Sequence, residues 1–291
     1  MIESFTCKKV RNVKLSKNIS STAKYTIFES NAKVYSEDGK LIAIFIKGAI
    51  TDPKYVRAGR NLLRYKQGTT SRTIAAGVNK EKKERYTDGN IGSANKVSSS
   101  IVGFMENVGF WPCRQTSLYQ KHEKVFDAET LKLIQFISKQ FKKYAPQSFD
   151  KQKKFVGKLN PHMVLKDTVY TTITVNCDWR TRTHVDKGDF DSGLGNITVF
   201  DYTKSDLCKK GSPAESKQSW SKGEFLLPEY DIGFRINEGD LLFVDVHQIH
   251  CNNPIKGKGR VSLVCYAREG ITKCQNMTKK EISDWQKFRG I

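Results

Sequence analysis

The sequence predicts a mixed α+β chain, with a barrel-like β core in its second half and helical support before it. Three patterns predict this. From Asp167 onward, TVYTTITVNCDW alternates with period two, and short strand-like runs recur at ITVFDY, GEFLL, LLFVDV and GRVSLVCYAR. Residues 127–144 place apolar groups at helical spacing, Leu131, Ile134, Ile137, Phe141 and Tyr144. Residues 1–50 fall into short alternating runs, with Asp38-Gly39 between two of them as a hairpin signal. At 291 residues the chain suffices for one large domain, read as an N-terminal β-meander (1–50), a helical and basic support region (51–165), the β core (166–270) and a C-terminal helix (271–291).

Charge narrows the partner. Fifty basic residues face thirty acidic ones, a net of +20, which predicts attraction to a polyanion. A solubility surface is the plainer reading, but an excess this large favours nucleic acid. Seven cysteines, an odd number without a CxxC pair, argue against a disulfide framework or a zinc ribbon and suit a reducing intracellular setting. No apolar run approaches the ~20 residues of a membrane span, and the N-terminus lacks the apolar core of a signal peptide.

Within the support region, residues 51–66 read as a helix carrying Arg57, Arg60 and Arg64 on one face, either a solvated face or a phosphate contact. Residues 67–100 are rich in Gly, Ser, Thr, Asn and Lys and read as a long loop, with RTIAAGV its single apolar island. Phe104, Phe110, Trp111 and Tyr119 could stack on bases but more commonly pack in a core. Asp127 is expected to cap the helix that follows. His162 is a lone loop histidine with no assigned role.

In the core, alternation places Val169, Thr171, Ile173, Val175, Cys177 and Trp179 on one face. Thr172, Thr174, Asn176, Asp178, Arg180, Arg182, His184 and Asp186 fall on the other. A polar inner face is costly unless it lines a wet cavity, so a barrel with an interior site is expected. A bulge between Asn176 and His184 would break this parity. Asp189 and Asp191 suggest a calcium loop, but Leu194 and Phe200 stand where that loop needs Gly and Glu. Residues 203–223 read as a polar insertion at the barrel mouth.

His184 and Asp186, two apart on a strand, would project together. A distal histidine would complete the two-histidine, one-carboxylate facial triad that holds iron(II) with open positions. The distal ligand is His247 or His250. His250 is favoured because Arg260 follows ten residues on, with Ser262 on the same strand face. That guanidinium and hydroxyl suit the far carboxylate of 2-oxoglutarate.

The runs HVDKGDF, GLGNITVF, GDLLFVDVHQIHCNNP and GRVSLVCYAREG resemble the TET/JBP family of nucleic-acid oxygenases over roughly residues 165–270. The resemblance implies a double-stranded β-helix (jelly-roll, cupin-like) core and a dioxygenase. It would hydroxylate the 5-methyl group of thymine or 5-methylcytosine in DNA with Fe(II), 2-oxoglutarate and O2, on a base flipped into the pocket. It implies His184, Asp186 and His250 as iron ligands and Arg260, with Ser262, as the 2-oxoglutarate grip. Asn176, Asp178 and Arg182 are expected in the pocket wall. An algal branch of the family uses ascorbate instead of 2-oxoglutarate, so the co-substrate is implied by resemblance alone. A monomer in a nucleus or host-cell cytoplasm, of viral, phage or protist type, with no membrane partner, fits this reading. The competing readings are an oxygenase of the same iron site acting on a protein side chain or small molecule, and an inactive nucleic-acid-binding relative.

Overall fold

The computed structural model describes residues 2–15, 19, 24–66, 98–109, 111–208 and 219–285. The expected loop 67–97 with RTIAAGV, Phe110, most of the 203–223 insertion and the end of the C-terminal segment lie outside the described residues. In chain order the strands are β1 (Glu3–Cys7), β2 (Thr26–Phe28), β3 (Ala32–Ser36), β4 (Leu41–Ile46), β5 (Ser99–Met105), β6 (Arg114–Gln115), β7 (Thr172–Cys177) and β8 (Gly195–Asp201). They continue as β9 (Trp220–Lys222), β10 (Phe225–Leu227), β11 (Ile232–Phe234), β12 (Leu241–Val244), β13 (Cys251–Asn252), β14 (Ile255–Gly257) and β15 (Arg260–Tyr266). The helices are α1 (Pro53–Arg60), α2 (Ser117–Val125), α3 (Leu131–Tyr144), α4 (Pro146–Val156) and α5 (Lys279–Ser283). Two compact units are built from separated segments. One comprises Met1–Ser100, Val175–Asp186 and Ile197–Leu263; the other comprises Ile101–Thr174, Lys187–Asn196 and Val264–Ile291. These units do not follow the four blocks expected from the sequence.

The strands fall into three sheets. The largest has nine strands in the order β1, β3, β4, β12, β8, β15, β7, β5 and β6; the next orders β13, β10, β11 and β2; the third pairs β14 with β9. Phe45 of β4 meets Phe234 of β11 edge to face at 5.7 Å, and Phe28 of β2 stacks on Phe234 at 5.3 Å. Phe45, Phe234 and Phe243 are fully buried, each contributing about 2–3 kcal/mol relative to exposure. The expected N-terminal meander is more distributed. Only β3–β4 form a hairpin, turned at Gly39 (φ +78°), while β1 pairs with β3 in parallel and β2 joins the other sheet.

Strand β7 ends at Cys177, where Asp178 adopts φ +47°. This is the break in alternation allowed for between Asn176 and His184. Every residue of β7 is buried, so both of its faces are covered. Helix α1 is capped by Asp52. Of the three arginines expected on one face, Arg57 and Arg60 lie in α1 and Arg64 beyond it; Arg60 binds Glu238 through two hydrogen bonds at 2.8 and 2.9 Å, and Arg64 donates to the Asn61 carbonyl at 3.1 Å. Arg60 is therefore committed inside the unit rather than offered to phosphate.

In the second unit the helix expected over 127–144 begins earlier. Thr116 caps α2, accepting from Tyr119 N–H at 3.3 Å, and a π-turn over Phe126–Thr130 runs into α3, so Asp127 is not the cap. The capping signal was Thr116, whose hydroxyl also accepts from Gly103 N–H. Leu131, Ile134, Ile137 and Phe141 form the buried stripe, and Phe141 meets Phe149 of α4 at 5.7 Å. Phe104 and Tyr119 pack edge to face at 5.5 Å, the core role preferred for this aromatic cluster. Among the described residues no helix is long and apolar enough to cross a membrane.

A disulfide joins Cys113 to Cys274, their Cα atoms 5.9 Å apart. A single bridge is no disulfide framework, but it runs against the reducing setting expected from the cysteine pattern: partners 161 residues apart leave no spacing signal in the sequence. The bridge closes a long loop, so reduction is expected to cost about 2–5 kcal/mol. Urea unfolding with and without dithiothreitol checks this: a Cys113→Ser variant should match the reduced protein, and identical midpoints for oxidised and reduced protein contradict the bridge.

Candidate metal centre

The site is built by the backbone before any side chain takes part. His184 and His250 exchange both main-chain hydrogen bonds, each N–H to the other's carbonyl at 3.0 Å. A closely spaced antiparallel pair of this kind holds its two side chains on one face. Their ring centroids lie 4.1 Å apart. The ladder then slips. A regular register would pair Asp186 with Gln248, but Asp186 N–H bonds the Val246 carbonyl at 3.1 Å. The cause is a turn over residues 245–248, closed by Gln248 N–H on the Asp245 carbonyl at 3.1 Å.

With this geometry the Asp186 carboxylate presents one oxygen to each histidine, 3.6 Å from His184 Nε2 and 3.6 Å from His250 Nε2. One donor atom from each of the three residues lies within 4.8 Å of the others, the single such group of three or more among the described residues. An ion with bonds of about 2.1 Å needs neighbouring donors roughly 3 Å apart, a contraction that small side-chain rotations supply. His184 Nδ1 faces the Arg182 carbonyl at 2.6 Å, and His250 Nδ1 faces the Gln248 carbonyl at 3.0 Å. Each Nδ1 therefore carries the proton and donates it, which leaves both Nε2 lone pairs for a metal. Phe225 stacks on the His250 ring at 5.2 Å and fixes its plane. Two imidazoles and one carboxylate on one face suit a divalent iron with open positions.

His247, the alternative ligand, turns elsewhere. Its Nδ1 lies 3.3 Å from Asp245, and its N–H donates to the same carboxylate at 3.0 Å. Asp245 was not singled out from the sequence, although a lone acid in LLFVDV is a signal of a satisfied buried charge. Its carboxylate also accepts from Gln248 Nε2 at 2.9 Å and pairs with Lys40 at 2.7 Å. Burial pushes this carboxyl upward, but the His247, Lys40 and Gln248 contacts prevail and hold it well below its ordinary value. Asp245 thus anchors the turn whose Gln248 carbonyl orients His250.

Arg260 opens β15 and Ser262 follows on the same face. The Arg260 guanidinium is buried, and its Nε has no hydrogen-bond partner. Burial pushes it down to about 10, against the pull of the Asp178 and Glu224 carboxylates. Asn176 donates to Ser262 Oγ at 3.4 Å, while its own Oδ1 is buried without a partner. A buried cation with an orphaned donor, on the same strand face as a hydroxyl that can donate, fits a carboxylate ligand such as 2-oxoglutarate, whereas the orphaned Asn176 Oδ1 calls for a donor. Asp178 accepts from the N–H groups of Gly259 and Arg260 at 2.9 and 2.8 Å and from the Tyr202 hydroxyl. Its carboxylate is occupied in fixing the start of β15. Arg182, half-buried, contributes its carbonyl to His184.

The Asp245 contacts have a pH signature. Its folded pKa is depressed below the ordinary 3.8, so its stabilisation is complete above about pH 4 and fades as pH falls through the lower folded value. Asp245→Asn should cost about 1–3 kcal/mol at pH 7. Thermal unfolding at pH 7 and pH 2.5 should show the difference from the parent narrowing in acid; a gap independent of pH contradicts the assignment.

Comparison with known proteins agrees with this geometry. Residues 100–269 match the sequence model Tet_JBP, the oxygenase domain of the 2OGFeDO superfamily. The chain is 25% identical over 257 residues to the bifunctional helicase and thymine dioxygenase JBP2 of Trypanosoma brucei brucei, covering 84% of this chain and 21% of that protein. It is 27% identical over 184 residues to thymine dioxygenase JBP1 of the same organism, covering 60% of this chain and 19% of the relative. The chain thus spans about a fifth of the length of the curated relatives it matches. Among solved structures, NgTET1 in complex with 5mC DNA superposes with a TM-score of 0.60 at 12% identity, covering 99% of this chain and 91% of that one, which shows a shared jelly-roll fold. With the family model spanning more than half its length, the chain belongs to the Tet/JBP family of iron(II)- and 2-oxoglutarate-dependent oxygenase domains.

Proposed function

We propose that this chain acts as one oxygenase domain that hydroxylates the 5-methyl group of a pyrimidine, thymine or 5-methylcytosine, in DNA. The observation that carries the reading is the convergence of His184, Asp186 and His250 in a Tet/JBP chain. Relatives named as thymine dioxygenases and a fold shared with a protein solved on 5mC DNA support the choice of substrate. The net charge of +20 supports a polyanion.

His184, Asp186 and His250 would hold iron(II). With 2-oxoglutarate and oxygen, that metal supplies the oxidation of a methyl C–H to C–OH, with loss of carbon dioxide and formation of succinate. The protein's part is positioning. The Arg182 and Gln248 carbonyls keep both Nδ1 atoms protonated, so both histidines ligate through Nε2. Arg260, with Ser262, receives the far carboxylate of the co-substrate and so relieves the uncompensated charge left by burial. Asp178 serves the pocket through Arg260, by fixing its backbone. Asn176 Oδ1 and the Arg182 side chain are proposed for the wall that meets the base, which must leave the duplex stack to reach a buried site. A monomer acting in a nucleus or a host-cell cytoplasm fits such a task.

Nucleoside mass spectrometry after incubation with thymine- and 5-methylcytosine-containing duplexes, iron(II) and 2-oxoglutarate tests the proposal. A hydroxymethyl product is expected from the parent and none from His184→Ala. Arg260→Lys should raise KM for 2-oxoglutarate by roughly tenfold or more, since a point charge replaces a two-pronged donor. Succinate formed at the same rate without DNA, and no oxidised nucleoside with it, points instead to a protein or small-molecule substrate and overturns the reading.

A further inference from the structure

The exposed side of α3 has a one-sided charge. Leu131–Tyr144 contains Lys132, Lys139, Lys142 and Lys143 and no acidic residue at all. At 100° per residue Lys132, Lys139 and Lys143 form a stripe opposite the buried Ile134, Ile137 and Phe141, with Lys142 beside it. The stripe spans about 17 Å of helix, the axial length of roughly ten phosphate charges on duplex DNA. On α4 Lys151 and Lys154 are exposed too, although an exposed acid, Asp150, stands one turn before Lys154. Among the described residues none of these six lysines makes an ion pair with a carboxylate.

A solubility surface mixes signs, and like charges at i, i+4, as at Lys139 and Lys143, cost a helix a few tenths of a kcal/mol. The helix dipole accounts for Lys142 and Lys143 in the last turn of α3. It does not account for Lys132, Lys139 or Lys151. The stripe belongs to the second unit, whereas the triad and Arg260 belong to the first, so these lysines are not part of the metal centre.

We propose that the lysine face of α3 is a contact surface for the phosphate backbone of duplex DNA. The proposal rests on the reading that DNA is the substrate, and adds a second, sequence-independent foothold on it. Phosphate contacts of this kind set affinity and salt dependence without reading bases.

The test is fluorescence anisotropy of the full chain with a labelled, unmodified duplex across 50–200 mM salt. Each phosphate contact removed takes about 0.9 from the slope of log affinity against log salt. A Lys139→Gln/Lys142→Gln/Lys143→Gln variant should lose about 2–3 of slope, so that parental affinity falls about fortyfold more than the variant's over that range. The matching Lys→Arg triple should keep the parental slope. An unchanged slope overturns the proposal, as does an equal loss in a Lys8→Gln/Lys24→Gln/Lys33→Gln control, which removes the same charge from the other unit. Loss of binding to phosphatidylserine vesicles with duplex binding intact overturns it in favour of a membrane surface. If the slope falls while the nucleoside assay finds no oxidised base, the substrate reading fails and this surface stands; oxidised base with an unchanged slope fails the surface alone.

Discussion

Two hydrogen bonds, His184 to His250 and back, are the constraint on which the rest depends. They join stretches of chain 66 residues apart in sequence at one ladder position, and the pleat then puts both imidazoles on one side. Neither ring has to search for the other. The slip that follows, with Asp186 bonded to Val246 instead of Gln248, gives the carboxylate a stance from which each oxygen addresses one histidine. A regular strand would have spaced the three donors by ladder geometry alone. The turn over residues 245–248 therefore does chemical work, and Asp245 beneath it holds that turn through His247, Gln248 and Lys40.

The second constraint is an uncompensated charge. Arg260 is buried with an unpartnered Nε, and the nearby Asp178 and Glu224 carboxylates do not offset the loss of water. A buried cation of this kind is unfavourable to fold around and favourable to bind with, because an incoming carboxylate completes it. The local backbone is arranged to keep it in place. Asp178 accepts the N–H groups of Gly259 and Arg260, and Gly259 holds φ +113°, where a side chain would collide with Ser219. On the proposed reading, this penalty serves a preorganised grip for a carboxylate.

Much of this was legible in the sequence because it rests on residue type and short spacing. His184, Asp186 and the distal histidine announce a metal by their chemistry, and Arg260 and Ser262 by sharing a face two residues apart. The buried stripe of α3 follows from period alone. What the sequence concealed depends on long-range pairing. Cys113 and Cys274 carry no local signal of their bond. The extension of the helical region back to Thr116 was hidden by the π-turn at Phe126–Thr130, whose Asp127 imitates a cap. The polar face assigned to β7 failed at Asp178, where a left-handed residue ends the alternation and turns Arg180 toward the Ile19 and Asn252 carbonyls. His250 was preferred to His247 from the spacing to Arg260, but the reason His247 turns away, its contacts with Asp245, was not legible in the sequence.

The most direct test of the account is an anaerobic iron(II) titration of the intact chain by calorimetry. One ion per chain is predicted for the parent and for His247→Ala, with binding abolished in His184→Ala and in His250→Ala. Retention of full iron binding by His250→Ala, with its loss in His247→Ala, would contradict the paired-histidine centre.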